Sequence, residues 1–164
     1  MIVKGIVFDI NGTMTDILTN EANEDVYRVI SNLFSYQGIL LDPAATKDLY
    51  FRIQKEQRAA TREPYPEFDA IEIFREIIRQ HSTDFTRKLP TEKIEQLPGF
   101  FAETYRAASR FRLQLYPGVD ETIRQLHQNY RLAIVSDAQT AYAIPELHAV
   151  GRSGLFDPII GSGD

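Results

Sequence analysis

Asp9-Ile10-Asn11-Gly12-Thr13 follows directly on the apolar run Gly5-Ile6-Val7-Phe8, and its side chains are of types that carry chemistry. An aspartate at the carboxyl end of a buried parallel strand lies where open α/β sheets bind ligands. From there the Asp9 carboxylate could attack an electrophilic phosphorus or carbon and form a covalent intermediate. Gly12 lets the backbone approach an anion closely, and Thr13 adds a hydroxyl donor. The same residues also read as a simple hairpin, because Asn-Gly between two apolar stretches is a strong turn signal. A calcium loop fits worse, since Gly12 stands fourth from Asp9 rather than sixth. The second candidate is Ser136, which closes the run Arg131-Leu132-Ala133-Ile134-Val135-Ser136 and precedes Asp137 and Ala138. Its hydroxyl could hold one oxygen of a bound phosphate; the alternative is a helix N-cap or turn serine. His81, His127 and His148 are scattered and read as surface or packing residues.

The elements that must position these residues follow from hydrophobic pattern. Residues 2–10 are rich in Ile, Val and Phe and predict a strand ending at Asp9, parallel and covered on both faces. Arg131–Ser136 predicts a second strand of the same kind, and Pro158-Ile159-Ile160 a third, weaker one. Between the last two, residues 141–150 predict a short or kinked helix, with Pro145 inside it and Gly151 just past its end. Val119, Ile123 and Leu126 recur at helical spacing before the second strand. Strand, helix and strand in alternation imply a doubly wound parallel sheet.

The middle of the chain reads as helical almost throughout, from about 20 to 112. Val26, Val29, Ile30 and Leu33 form one stripe, ended by Gly38. Asp42-Pro43 is an N-cap followed by proline at the first helical position, opening a helix with Leu49 and Ile53. Phe68, Ile71, Phe74, Ile77 and Ile78 make a third stripe, set off by the loop 61–66. Thr91 opens a fourth segment, broken at Pro98-Gly99 and resumed through Phe101, Tyr105 and Ala108. An all-helical module inserted after the first strand would stand over the carboxyl ends of the strands.

Composition narrows the function. The 164 residues are 43% hydrophobic and 25% charged, the mix of an ordinary globular protein with a proper core. The absence of cysteine excludes a disulfide framework, a thiolate metal site and a cysteine nucleophile. A net charge of −5 gives no general electrostatic reason to seek nucleic acid. No apolar run reaches the roughly 20 residues of a membrane span, and the start lacks the layout of a signal peptide. The expectation is a cytoplasmic protein with neither nucleic-acid nor membrane partners.

Together the two strand ends resemble the motifs of the haloacid dehalogenase-like hydrolase superfamily. Asp9-Ile10-Asn11-Gly12-Thr13 is similar to its first motif, Asp-x-Asp-Gly-Thr, and Ser136 to its second. Tyr116-Pro117-Gly118-Val119 resembles the turn that opens the helix before that strand, and Gly154–Ile160 the segment leading into the third. The resemblance implies an α/β, Rossmann-like core over residues 1–17 and 113–164, with an α-helical cap over 18–112. It also implies that Asp9 is a nucleophile taking a phosphoryl group from a small phosphorylated metabolite. Mg²⁺ would be held by Asp9 and by the backbone carbonyl of Asn11. Gly12, Thr13, Ser136, Asp137 and Ala138 would surround the transferring phosphate. Phosphoryl transfer needs positioning and charge neutralisation above all, and this set supplies both.

Two departures shape the expectation. The family usually has an aspartate at the position of Asn11, where it protonates the leaving alcohol. An amide cannot supply that proton, so alkyl phosphates should turn over poorly and acyl or aryl phosphates suffer least. The same change fits a 2-haloacid dehalogenase, where halide leaves unprotonated; against it, Asp137 stands where asparagine is expected. The sequence also ends at Gly161-Ser162-Gly163-Asp164, where the family pattern continues to a lysine and an acidic pair. This predicts a truncated hydrolase, weakly active or inactive, with the first strand left as an edge open to pairing with a second copy. A third reading is a non-catalytic pseudoenzyme or interaction module.

Overall fold

A computed structural model describes residues 3–62 and 64–163; Met1, Ile2 at the head of the expected first strand, Glu63 in the 61–66 loop and the terminal Asp164 lie outside them. The chain divides into two compact units: Met1–Thr19 with Arg110–Asp164, and Asn20–Ser109.

The first unit is α/β, the expected fold class. Numbered in chain order, its parallel sheet is formed by β1 (Gly5–Phe8), β4 (Arg131–Gln139) and β5 (Ile159–Ser162), in the order β1-β4-β5. Two helices belong to this unit, α6 (Val119–His127) and α7 (Thr140–Ala149). Because side chains alternate along a strand, the register Ile6↔Leu132 and Phe8↔Ile134↔Ile159 puts these residues on one face. Ile123 of α6 and Ala143 and Leu147 of α7 join Leu132 and Ile134 in the core there, with Phe156, Ile10 and Met14. The opposite face carries Val7, Val135 and Ile160, which are 62%, 51% and 44% exposed. The first strand is therefore parallel, as expected, but among the described residues it is covered on one face only, because both helices of the unit pack on the same side. Among the described strands it stands at the end of the order.

An antiparallel ribbon completes the unit: β2 (Thr15–Thr19) pairs with β3 (Arg110–Leu115), from Thr15↔Leu115 to Thr19↔Arg110, with a bulge at Leu18/Thr19. The Asp16 carboxylate accepts from Arg112 at 2.9 Å and from Gln114 at 3.1 Å across it. The ribbon corrects two expectations. Residues 110–112 are strand rather than helix, because their partners lie about ninety residues away and local pattern does not register them. The turn after Asp9 is also not a hairpin, since β2 pairs with β3 and not with β1.

The second unit is helical: α1 (Glu24–Tyr36), α2 (Pro43–Ala60), α3 (Ala70–His81), a single turn α4 (Asp84–Arg87) and α5 (Thr91–Ser109). Asp42 caps α2 as expected, its side chain accepting from Ala45 N at 2.8 Å ahead of Pro43. Gly38 follows the end of α1 at φ 77°, as its stop signal required. The break expected at Pro98-Gly99 does not occur: α5 runs through Pro98, which is buried between Leu97 and Phe101. An interior proline costs about 3 kcal/mol, and burial of Leu97, Phe101 and Tyr105 along the same helix offsets it. The core is aromatic. Phe34 and Phe101 lie with ring centroids 4.4 Å apart, as do Tyr50 and Tyr105, and Phe74 touches members of both pairs. Burial pushes the Tyr27 phenol up to about 12 and raises that of Tyr105 as well, so both stay neutral inside this core.

Candidate active site

The turn after β1 is built around two buried anchors. Ile10 and Met14 are 1% and 2% exposed and sit in the core of the first unit. Between them the chain folds on a single acceptor: the N–H groups of Thr13, Met14 and Thr15 all donate to the Ile10 carbonyl, at 3.3, 2.8 and 3.0 Å. Gly12 adopts φ 76°, a left-handed conformation that L side chains rarely take, and its N–H donates to Thr15 O at 3.0 Å. With the apolar residues turned inward, Asp9, Gly12 and Thr13 are left exposed.

Strand register then brings the second motif to the first. Phe8 pairs with Ile134, so Asp9 and Ser136 stand just beyond that pair on neighbouring parallel strands. Ser136 Oγ donates to Asp9 Oδ1 at 2.7 Å, and Thr13 Oγ1 donates to Asp9 Oδ2 at 3.1 Å. Each carboxylate oxygen thus has one hydroxyl donor, which fixes the plane of the group. Beyond Ser136 the pairing of β4 with β5 is irregular between Val135 and Gln139. Ser136 Oγ accepts from Ala138 N at 3.2 Å within this stretch. Ser136 is therefore not a helix N-cap; that position belongs to Gln139, which makes no side-chain cap bond. The turn-serine reading is realised together with the contact to Asp9. Asp137 is exposed and Ala138 half-buried beside it.

Of the residues the sequence singled out, Asp9, Thr13 and Ser136 meet directly, and Asn11 and Gly12 shape the turn between them. Asn11 Oδ1 accepts from Thr15 Oγ1 at 3.1 Å. Thr15 is fully buried and was not among the sequence candidates; a β-branched hydroxyl residue opening a strand carries no local sign of a role beyond its element. The three histidines take no part: His127 and His148 are exposed on α6 and α7, and His81 ends α3. The arginines of the helical unit are placed as ordinary surface charges. Arg52 lies 3.7 Å from Glu56, Arg58 stands over the Phe68 ring at 4.9 Å, and Arg62 is exposed.

The donor chemistry here fits Mg²⁺. That ion takes one or two carboxylates, keeps several waters and completes its shell with substrate phosphate oxygens. Asp9 offers an exposed carboxylate, and the main-chain carbonyl of Asn11 is a second hard oxygen donor. No group of three or more His, Cys, Asp or Glu side chains converges among the described residues. They therefore supply part of an open shell and not a closed cage.

Comparison with known proteins identifies the family. The haloacid dehalogenase-like hydrolase family model matches residues 3–164. No curated protein sequence matches the chain. Among solved structures, the chain is similar to a predicted phosphoglycolate phosphatase from Haemophilus somnus 129PT, with 20% identity and a TM-score of 0.43, covering 98% of this chain and 63% of that one. It is similar to YfnB of Bacillus subtilis, described as an HAD-hydrolase and solved bound to magnesium: 20% identity, TM-score 0.45, covering 98% and 65%. With the 2-haloacid dehalogenase from Pseudomonas syringae pv. Tomato DC3000 it shares 14% identity and a TM-score of 0.51, over 98% and 64%. The last likeness is one of fold. The chain thus spans less than two thirds of the length of each of these structures.

Proposed function

Because the chain belongs to the haloacid dehalogenase-like hydrolases, we propose that it forms the nucleophilic part of a Mg²⁺-dependent phosphatase acting on a small phosphorylated metabolite through Asp9. The observation that carries this reading is the Asp9 carboxylate held between Ser136 Oγ and Thr13 Oγ1 at the carboxyl ends of adjacent parallel strands. A carboxylate fixed in this way has already lost the rotational freedom that would slow its attack. An Asp9 oxygen attacks phosphorus in line, the bond to the leaving group breaks, and the phosphoryl group rests on Asp9 until water removes it. Once phosphate is bound, the Ser136 and Thr13 hydroxyls, each with one proton, can turn from Asp9 to donate to its oxygens. Gly12 leaves room there, since nothing lies within 4 Å of where its Cβ would be. Mg²⁺, held by Asp9 and the Asn11 carbonyl, would offset the repulsion between carboxylate and phosphate.

Asn11 also suits a second reading, attack of Asp9 on the carbon of a 2-haloacid, because halide needs no proton. Phosphate release from phosphorylated substrates in the presence of Mg²⁺, lost with EDTA and in Asp9→Asn, supports the phosphatase. Halide release from chloroacetate that persists in EDTA supports the dehalogenase. Failure of the whole protein to bind Mg²⁺ or a phosphate analogue, together with no halide release from chloroacetate, leaves only a non-catalytic role.

A further inference from the structure

Beside the turn that follows Asp9, the α/β unit carries a cavity of about 220 Å³ between that turn and the start of α6. Met14 and Ile123, 2% and 1% exposed, are its deepest lining residues, and the half-buried Phe8 and Val119 flank them. Thr13, Pro117, Gly118 and Thr122 are exposed and surround its mouth, so it opens to the surface and is not an enclosed packing fault. Gly118 brings no side chain to it, and nothing lies within 4 Å of where its Cβ would be.

The lining has little polar character left to offer a guest. Thr13 and Thr122 are its two polar side chains, and each has its one hydroxyl proton committed elsewhere. Thr13 Oγ1 donates to Asp9 Oδ2 at 3.1 Å, and Thr122 Oγ1 donates to Gly118 O at 2.8 Å. The main chain nearby bonds to itself: the N–H groups of Tyr116, Val119 and Thr122 donate to Met14 O, Tyr116 O and Gly118 O at 3.0, 3.1 and 3.0 Å. Among the described residues no charged side chain lines the cavity. The bond from Tyr116 to Met14 also ties the turn to the chain entering α6, so the walls stand in place before anything enters.

We propose that this cavity binds one small apolar group, of the size of a single aromatic ring, next to Asp9. Size and chemistry agree, since an apolar cavity of about 150 Å³ is enough to take up benzene. A charged or strongly hydrated group would give up its water for no donor in return. A ring leaves water for contact with Phe8, Val119 and Ile123 and with the polarisable sulfur of Met14. Because the walls are preformed, little ordering opposes binding. The cavity shares Thr13 with the candidate active site, but Asp9 does not line it, so the inference does not depend on the phosphatase reading.

The test uses the whole protein labelled with ¹³C-methyl methionine, because Met1 and Met14 are the two methionines of the 164 residues. Met14→Leu assigns the signal. Titration with toluene should move the Met14 methyl resonance to a plateau and leave that of Met1 in place, whereas glycerol at the same concentration should move neither. Val119→Phe fills the cavity with a ring of the chain's own and should abolish the shift. Thr122→Glu, at an exposed position of α6, keeps the fold and sets a carboxylate at the mouth; it should weaken toluene binding about tenfold. Asp9→Asn should bind toluene as the unaltered protein does. A Met14 resonance that toluene leaves in place, an equal shift with glycerol, or toluene binding unchanged in both Val119→Phe and Thr122→Glu would each overturn the inference. Loss of toluene binding in Asp9→Asn would overturn it as well, by tying the ring to the carboxylate and not to the cavity.

Discussion

At the scale of single residues, the two hydroxyls on Asp9 separate orientation from attack. Asp9→Asn keeps the shape and removes the nucleophile, so phosphate release should fall to background. Ser136→Ala keeps the nucleophile but removes the 2.7 Å donor on Oδ1. A hydrogen bond to a charged group is worth about 1.5–3 kcal/mol, and steady-state assays should therefore show kcat/KM down by about 10–100-fold. Thr13→Ala, at 3.1 Å and on an exposed side chain, should cost less. An equal or greater loss for Thr13 would mean that its bond to Oδ2, and not that of Ser136 to Oδ1, does more to hold the carboxylate. Asp9, Thr13 and Ser136 were legible in the sequence because each follows or ends an apolar strand run. Thr15 was not, because its contribution depends on a contact with Asn11 that only the folded turn creates.

At the scale of elements, two glycines test how the site is carried. Gly12 has an open position around its absent Cβ, so Gly12→Ala meets only the cost of φ 76°, about 1–2 kcal/mol. Gly161 on β5 has ordinary backbone but no room: a Cβ there would stand 2.7 Å from Ala138 O and 2.5 Å from Thr140 Oγ1. Gly161→Ala should push on the segment that follows Ser136. The expected outcome is a loss of about 1–3 kcal/mol in chemical denaturation, together with reduced activity, although the residue lies outside the turn. Unchanged activity in a destabilised Gly161→Ala protein would show that the 136–140 segment shifts without disturbing Ser136. Elements with strong local signals were readable in advance. Asp42-Pro43 opened α2, Gly38 closed the region after α1, and β4 began at Arg131 as its apolar run indicated. The β2–β3 ribbon was not readable: it is short, half polar and stabilised by pairing between distant segments. Nor was the continuity of α5 through Pro98, where tertiary burial outweighs a local breaker.

At the scale of the whole molecule, the α/β and helical units differ in what holds them together. The first depends on aliphatic residues between a parallel sheet and two helices, the second on a cluster of aromatic rings that includes neutral tyrosines. Burial raises the Tyr27 phenol to about 12 from an ordinary value near 10. Because the folded value lies above the unfolded one, the stabilisation is constant below about pH 10 and is lost as pH rises toward 12. Thermal unfolding followed between pH 8 and 12 should show the helical unit weakening across that window, and Tyr27→Phe should reduce the slope. A Tyr27→Phe protein with an unaltered slope would place the alkaline transition elsewhere. Among the described residues no helix is long and apolar enough to cross a membrane. The alternation of strand and helix made the fold class legible from the sequence, whereas the one-sided cover of the sheet followed from packing that pattern alone does not specify.

The most direct test of the central claim is to trap the covalent intermediate. The whole protein would be mixed with acetyl phosphate and Mg²⁺, quenched in acid within milliseconds, digested and mapped by mass spectrometry. The account predicts a phosphoryl group on the peptide containing Asp9, absent in Asp9→Asn and absent when the quench follows complete turnover. Phosphate release with no adduct on that peptide, or an adduct on another residue, would contradict it.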